Sequence, residues 1–227
     1  MRRLFTDPDG FFGSLGEPGL RTPCAIVALL TVIGLGTSGL YARRMVAGLS
    51  EGVAGILLLV ALVSGGITAV VLPFAGWLFF SGCFHTVANR YTETATFRRT
   101  FAYVGYGFVP FVLFRICYGI GTAVAVLSTP PPTSVDAIGQ FDAAVSSHPL
   151  STTVEWLTPV FFLWSAFLWV FAVRHAHDLD RRTSLKLVLF VFVPVGISYL
   201  WLTVDPNLGA LGGVLVSWPA RARTAAW

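Results

Sequence analysis

Charge is what this sequence has least of. Only 11% of its 227 residues are Asp, Glu, Lys or Arg, where a soluble domain carries roughly 25%. A water-soluble fold of this length needs a charged coat, and there are too few charges to make one. Lysine is nearly missing. Lys186 stands alone beside 14 arginines, a compositional bias rather than a functional sign. Cysteine is scarce too. Cys24, Cys83 and Cys117 are odd in number, widely spaced and each set in an apolar run. That excludes a disulfide framework or a zinc site and predicts three small buried hydrophobes. No stretch reads as a P-loop, an H-E-x-x-H helix or a G-x-S-x-G elbow, and no two carboxylates share an apolar run. The sequence therefore offers no catalytic residue, no cofactor-binding residue and no metal ligand set. The expectation is a protein that is not an enzyme and holds no cofactor.

Apolar residues are what is there instead. They make up 55% of the chain, and the mean hydropathy is +0.75. Hydrophobic surface on that scale faces lipid. The net charge of +4 sits in short basic patches between the apolar runs. That is the pattern of membrane flanks and not of a basic face for nucleic acid.

A membrane span needs roughly 20 mostly apolar residues. Five runs qualify, so the predicted fold is all-α, a polytopic membrane bundle of about five transmembrane helices. The first covers 23–41. The second covers 52–90 and is too long for one straight span, so a single tilted or kinked helix is expected, with Gly65, Gly66 and Pro73 as its weak points. The third, 101–127, contains Pro110 and Arg115. The fourth, 156–173, follows Thr152 and Glu155, spaced as a capping box. The fifth, 185–203, contains Pro194. Residues 128–155 form a solvent loop with room for a short surface helix. The apolar stretch 207–220 is short for a span and is read as an interfacial tail, with a sixth span as the alternative. The organisation is thus an N-terminal cytoplasmic or interfacial segment (1–22), a transmembrane domain (23–204) and a tail (205–227). There is no internal repeat, so the inverted-repeat signature of many secondary transporters is missing.

The arginines orient the chain. With the N-terminus inside, the inner segments hold ten Lys and Arg and the outer segments four, leaving out Arg115. An excess of basic residues on the inside predicts a cytoplasmic N-terminus, with the acidic proline-rich loop outside. Arg2 and Arg3 read as a positive flank rather than a twin-arginine signal, because the first apolar run begins only near Pro23.

Four features carry what functional signal there is. The entry Asp7-Pro8-Asp9-Gly10-Phe11-Phe12 has two acids placed to cap a short helix and two aromatics of the kind that anchor in the headgroup layer. It serves either as a lead-in to the first span or as a docking segment for a cytoplasmic partner. In Gly105-Tyr106-Gly107-Phe108-Val109-Pro110, the glycines allow a close helix approach and Pro110 kinks the span. Arg115 is a charge inside a span. It either reaches water at the interface, pairs with an outer-edge acid such as Glu155 or Asp205, or contacts an anion. In His175-Ala176-His177-Asp178-Leu179-Asp180, the two histidines are two residues apart and cannot share a helical face. This string suits a solvated helix end better than a metal site, and His85 beside Cys83 is weaker still.

The Asp7-Pro8 to Phe11-Phe12 entry resembles the "DP-x-x-FF" start of prokaryotic members of the Yip family, membrane proteins named for interacting with Rab/Ypt GTPases in eukaryotes. The stretch from Tyr103 to Pro110 is similar to the family's "GY-x-x-x-P" signature. The stretch from Trp164 to Trp169, with Arg174-His175-Ala176-His177 and Arg181-Arg182-Thr183-Ser184 after it, resembles its fourth span and following basic loop. The acidic-aromatic N-terminal motif of the eukaryotic members is missing. The resemblance implies five spans, a cytosolic N-terminus and a role in membrane organisation or partner recruitment. The partners expected are the lipid bilayer, a protein at the cytoplasmic face and a second copy of the chain; nucleic acid is not among them. The location expected is the cell membrane for a chain of prokaryotic type. A small transporter or channel subunit is the alternative, favoured by Arg115 and the prolines.

Overall fold

The structure is a computed structural model that describes residues 2–92 and 95–204, with side chains through residue 198. The predicted tail at 207–220 lies outside the described residues. The described elements are helices: α1 (Arg2–Thr6), α2 (Pro8–Gly13), α3 (Arg21–Val46), α4 (Glu51–Ala88), α5 (Phe97–Tyr106), α6 (Val109–Ser128), α7 (Ile138–Ser146), α8 (Pro149–His177) and α9 (Arg181–Val204). Among the described residues, α3, α4, α8 and the α5–α6 pair taken together are long and apolar enough to cross a membrane. The fifth apolar run forms α9.

Helix boundaries follow local chemistry more than hydrophobicity. The long second run is one helix, α4, continuous through Gly65, Gly66 and Pro73. In its middle, the Ser64 hydroxyl donates to the Val60 carbonyl and the Thr68 hydroxyl to that of Ser64. The third run is not one kinked helix. It breaks at Gly107 and Phe108, and Pro110 is the second residue of α6. Proline suits a first turn because the N–H it lacks has no partner there anyway. The capping box is also overturned. Thr152 and Glu155 lie inside α8, which begins at Pro149, and His148 Nδ1 accepts from the Leu150 N–H at 3.3 Å. The start of α9 moves up for the same kind of reason. Asp180 Oδ1 accepts from the Thr183 N–H at 2.7 Å, so the helix begins at Arg181 rather than at the first apolar residue.

The chain divides into two compact units. One comprises Met1–Leu29, Pro73–Val112 and Pro159–Tyr199. Its core is aromatic. Trp169 is fully buried and surrounded by Phe80, Phe84 and Phe108 at 4.5–5.6 Å between ring centroids. Trp77 stacks on Phe101 at 3.8 Å and donates its indole N–H to the Phe101 carbonyl. The other comprises Leu30–Leu72, Leu113–Thr158 and, of the described residues, 200–204. There α7 lays Phe141 and Val145 against Ala125 and Val126, with Leu40, Tyr41 and Met45 around them. Tyr41 donates to Asp142 at 2.5 Å, tying α7 to α3. The predicted surface helix in the proline-rich loop is therefore a packed element. The three cysteines are free thiols, and none is buried. Cys24 is exposed, and Cys83 and Cys117 are half-buried. A thiol is apolar enough to face hydrocarbon as readily as protein.

Candidate functional site

The functional signal concentrates in the first unit, where the N-terminal segment folds back onto α5 and α8. Asp7 caps α2, accepting from the Gly10 N–H at 2.9 Å. Asp9 does not cap. Its carboxylate lies 2.7 Å from His175 Nε2, and Arg174 Nη1 lies 2.6 Å from both of its oxygens. These partners hold the Asp9 carboxyl below the ordinary carboxylate range, the His175 hydrogen bond most of all. Phe11 and Phe12 are not headgroup anchors. Both are buried, Phe12 completely. Phe12 stacks on Tyr103 and Phe11 meets Tyr106 edge-on. Leu4 is fully buried as well, and Phe5 touches Trp164.

Magnitudes say which contact matters. The Asp9 side chain is 45% exposed, and an ion pair that open to water contributes at most about 1 kcal/mol. Burying a phenylalanine or leucine contributes about 1.5–3 kcal/mol each. Apolar contacts therefore hold the segment, and Asp9 sets its register. Helices of five and six residues do not persist alone in water, so the segment is ordered by its seat.

The sign of the Asp9 linkage gives a first prediction. A depressed carboxyl contributes stability above its ordinary value and loses it as pH falls through the folded value. Cleavage in the linker, residues 14–20, should be slow at neutral pH and rise below about pH 4. Asp9→Asn should cleave faster at neutral pH and show a flatter acid response. Identical profiles for the two proteins would refute the clamp.

Behind the seat lies a polar chain. The Asn89 amide donates to His85 Nε2 at 3.1 Å, His85 Nδ1 is hydrogen-bonded to the Thr100 hydroxyl at 3.1 Å, and that hydroxyl is hydrogen-bonded to His177 Nε2 at 2.8 Å. Arg99 donates to the His175 carbonyl at 2.8 Å and pairs with Asp178 at 3.4 Å. The Tyr103 hydroxyl donates to the Gly16 carbonyl in the linker at 3.0 Å. The histidine string is thus divided among three tasks. His175 holds Asp9, His177 closes the polar chain at its buried end, and Asp180 caps α9. Among the described residues, no group of three metal-ligating side chains forms. Tyr103, Thr100 and Arg99 complete the site, and nothing in the sequence marks them for it. The only trace of Asp9's role in the sequence is its place two residues before Phe11.

The two glycines of the aromatic motif do serve close approach. A Cβ on Gly105 would lie 2.6 Å from Pro23 and 3.0 Å from Trp77, and one on Gly107 would overlap the Trp169 indole. That indole donates to the Val104 carbonyl at 3.0 Å. In the second unit, Arg115 lies over the Tyr118 ring at 5.8 Å. Among the described residues, no carboxylate is within ion-pair distance of it.

Helices long and apolar enough to cross a membrane, packed around the aromatic core of the first unit, define a polytopic α-helical membrane protein. Residues 2–203 match the Yip1 domain family, and the chain belongs to that family. No curated protein and no solved structure shows a significant match.

Proposed function

We propose that this protein is a non-enzymatic membrane scaffold that recruits a protein partner through its N-terminal face, with that face in the cytoplasm. The observation that carries the reading is the divided surface of the N-terminal segment. Leu4, Phe11 and Phe12 are buried in the chain's own seat, while Arg2, Arg3 and Asp7 stay exposed. A lead-in to a span needs only a tether; here the segment is held in one orientation and displays a fixed outer surface. The bias of ten cations against four supports the cytoplasmic orientation. A photo-crosslinking residue at Arg3, in native membranes, should give one discrete protein adduct. The adduct should fade when Phe12→Ala releases the segment. Adducts to lipid alone, or a pattern indifferent to Phe12, would overturn the proposal.

Transport is a second reading, and Arg115 is the observation in its favour. If Arg115 serves only packing and the interface, Arg115→Lys should be tolerated. Arg115→Leu should then keep or raise thermal stability in detergent, because leucine is at home in lipid. If Arg115 contacts an anionic substrate, both variants should fold normally yet lose the cellular phenotype, since lysine lacks the planar two-donor fork. Two stable but inactive variants would place transport above recruitment.

A further inference from the structure

The whole net charge of the chain belongs to residues of the first unit. Residues assigned to the first unit carry ten Lys and Arg against six Asp and Glu, and those assigned to the second carry five against five. Within the first unit, hydrogen bonds gather α2, the end of α4, the start of α5 and the α8–α9 turn together. Asp9 to Arg174 and His175, Arg99 to the His175 carbonyl and Asp178, and Thr100 to His85 and His177 all join segments distant in sequence. Two of the unit's acids, Asp9 and Asp178, are neutralised inside this junction. Asp7 and Asp180 cap helices.

Eight cations are left outside it, Arg2 and Arg3 on α1 and six more at the ends of longer helices. Arg21, Arg90, Arg98, Arg181, Arg182 and Lys186 are all exposed. Among the described residues, no carboxylate lies within ion-pair distance of any of them. Their positions share one property. Arg21 and Arg181 open α3 and α9, Arg98 is the second residue of α5, and Arg90 follows the end of α4 by two. Arg182 and Lys186 lie in the first two turns of α9, so all six flank the ends of the apolar runs, where a membrane helix meets the lipid headgroups. Exposed Tyr91 and Phe97 flank Arg90 and Arg98, and aromatic side chains favour the same layer.

We infer that these cations form a collar that binds the phosphates of anionic phospholipids, so that the protein is stabilised by lipid of that class. Their depth in the membrane decides for lipid over a soluble acidic partner. The attraction of Lys and Arg to an anionic surface adds up over neighbouring cations and is screened within a Debye length. The inference needs only the membrane placement of the helices and stands whether or not a protein partner exists.

The test uses the purified full chain in nanodiscs of phosphatidylcholine, with and without phosphatidylglycerol. Phosphatidylglycerol should raise the thermal midpoint by about 5 °C or more, given that 1 kcal/mol moves a chain of this length by roughly 2–4 °C. High salt should erase the difference, and soluble glycerol phosphate should not reproduce it. The quadruple variant Arg90→Gln, Arg98→Gln, Arg181→Gln and Arg182→Gln should keep its midpoint in phosphatidylcholine and lose most of the rise. Equal wild-type midpoints in the two lipids would overturn the inference and leave the collar to an acidic protein. A rise that survives high salt would overturn it as well, whether or not the variant folds.

Discussion

Phe12→Ala should release the N-terminal segment from its seat while leaving the helices behind it folded. Phe12 is fully buried and stacked on Tyr103. Removing a buried phenylalanine side chain costs about 3–5 kcal/mol, which exceeds what a half-exposed ion pair at Asp9 can hold. The loss falls on the segment because it is joined to α3 only through residues 14–20 and opens as a local unit. Hydrogen exchange reads this directly. The Phe11 and Ser14 amides, which donate to the Asp7 and Gly10 carbonyls, should exchange about 100-fold faster or more, since each 1.4 kcal/mol is a factor of ten. Exchange in α8 should change little. Phe5→Ala is the control. Phe5 is 43% exposed, and its loss should have a much smaller effect. Unchanged protection at Phe11 in Phe12→Ala would show that the seat does not order the segment.

Gly107→Ala should be strongly destabilising for the addition of a single methyl group. The new Cβ would occupy the place of the Trp169 indole. Neither partner can yield easily, because Trp169 is enclosed by Phe80, Phe84 and Phe108. Overpacking of a filled core costs about 1–3 kcal/mol. If the indole turns away, its hydrogen bond to the Val104 carbonyl is lost too, at about 0.5–1.5 kcal/mol more. Thermal unfolding in mild detergent should show a midpoint several degrees below wild type. Trp169→Phe alone is also destabilising, but combined with Gly107→Ala the cost should be less than additive, because the smaller ring makes room for the methyl. A fully additive pair, or a Gly107→Ala protein as stable as wild type, would mean that glycine is there for some reason other than the indole.

The linear order of residues was enough to reveal the class of protein. Hydrophobic run length, scarcity of charge and the placement of arginines are one-dimensional quantities, and a lipid solvent reads them almost directly. The apolar runs are helices, the long second run is a single helix, and the glycines at 105 and 107 are sites of close approach. Helix ends were less legible. Apolarity tells where hydrocarbon begins, but backbone hydrogen bonding continues into polar turns until a cap stops it, as at His148 and Asp180.

The site was decided by tertiary structure alone. Asp9 and His175 are 166 residues apart, and nothing local in either stretch names the other. The short N-terminal entry has the composition of a lipid anchor, so sequence placed Phe11 and Phe12 in the headgroup layer. Tyr103 and Tyr106 offer a better surface, since aromatic edges and faces pair with a specificity that lipid cannot match. The same holds for Thr100 between His85 and His177. A threonine in an amphipathic turn carries no functional mark until two histidines from other helices are brought to its hydroxyl. Sequence by itself determined that the chain lives in a membrane, because burial in lipid depends on composition along the helix. Structure alone determined which groups meet, because contacts between distant residues depend on how the helices pack and not on any one of them.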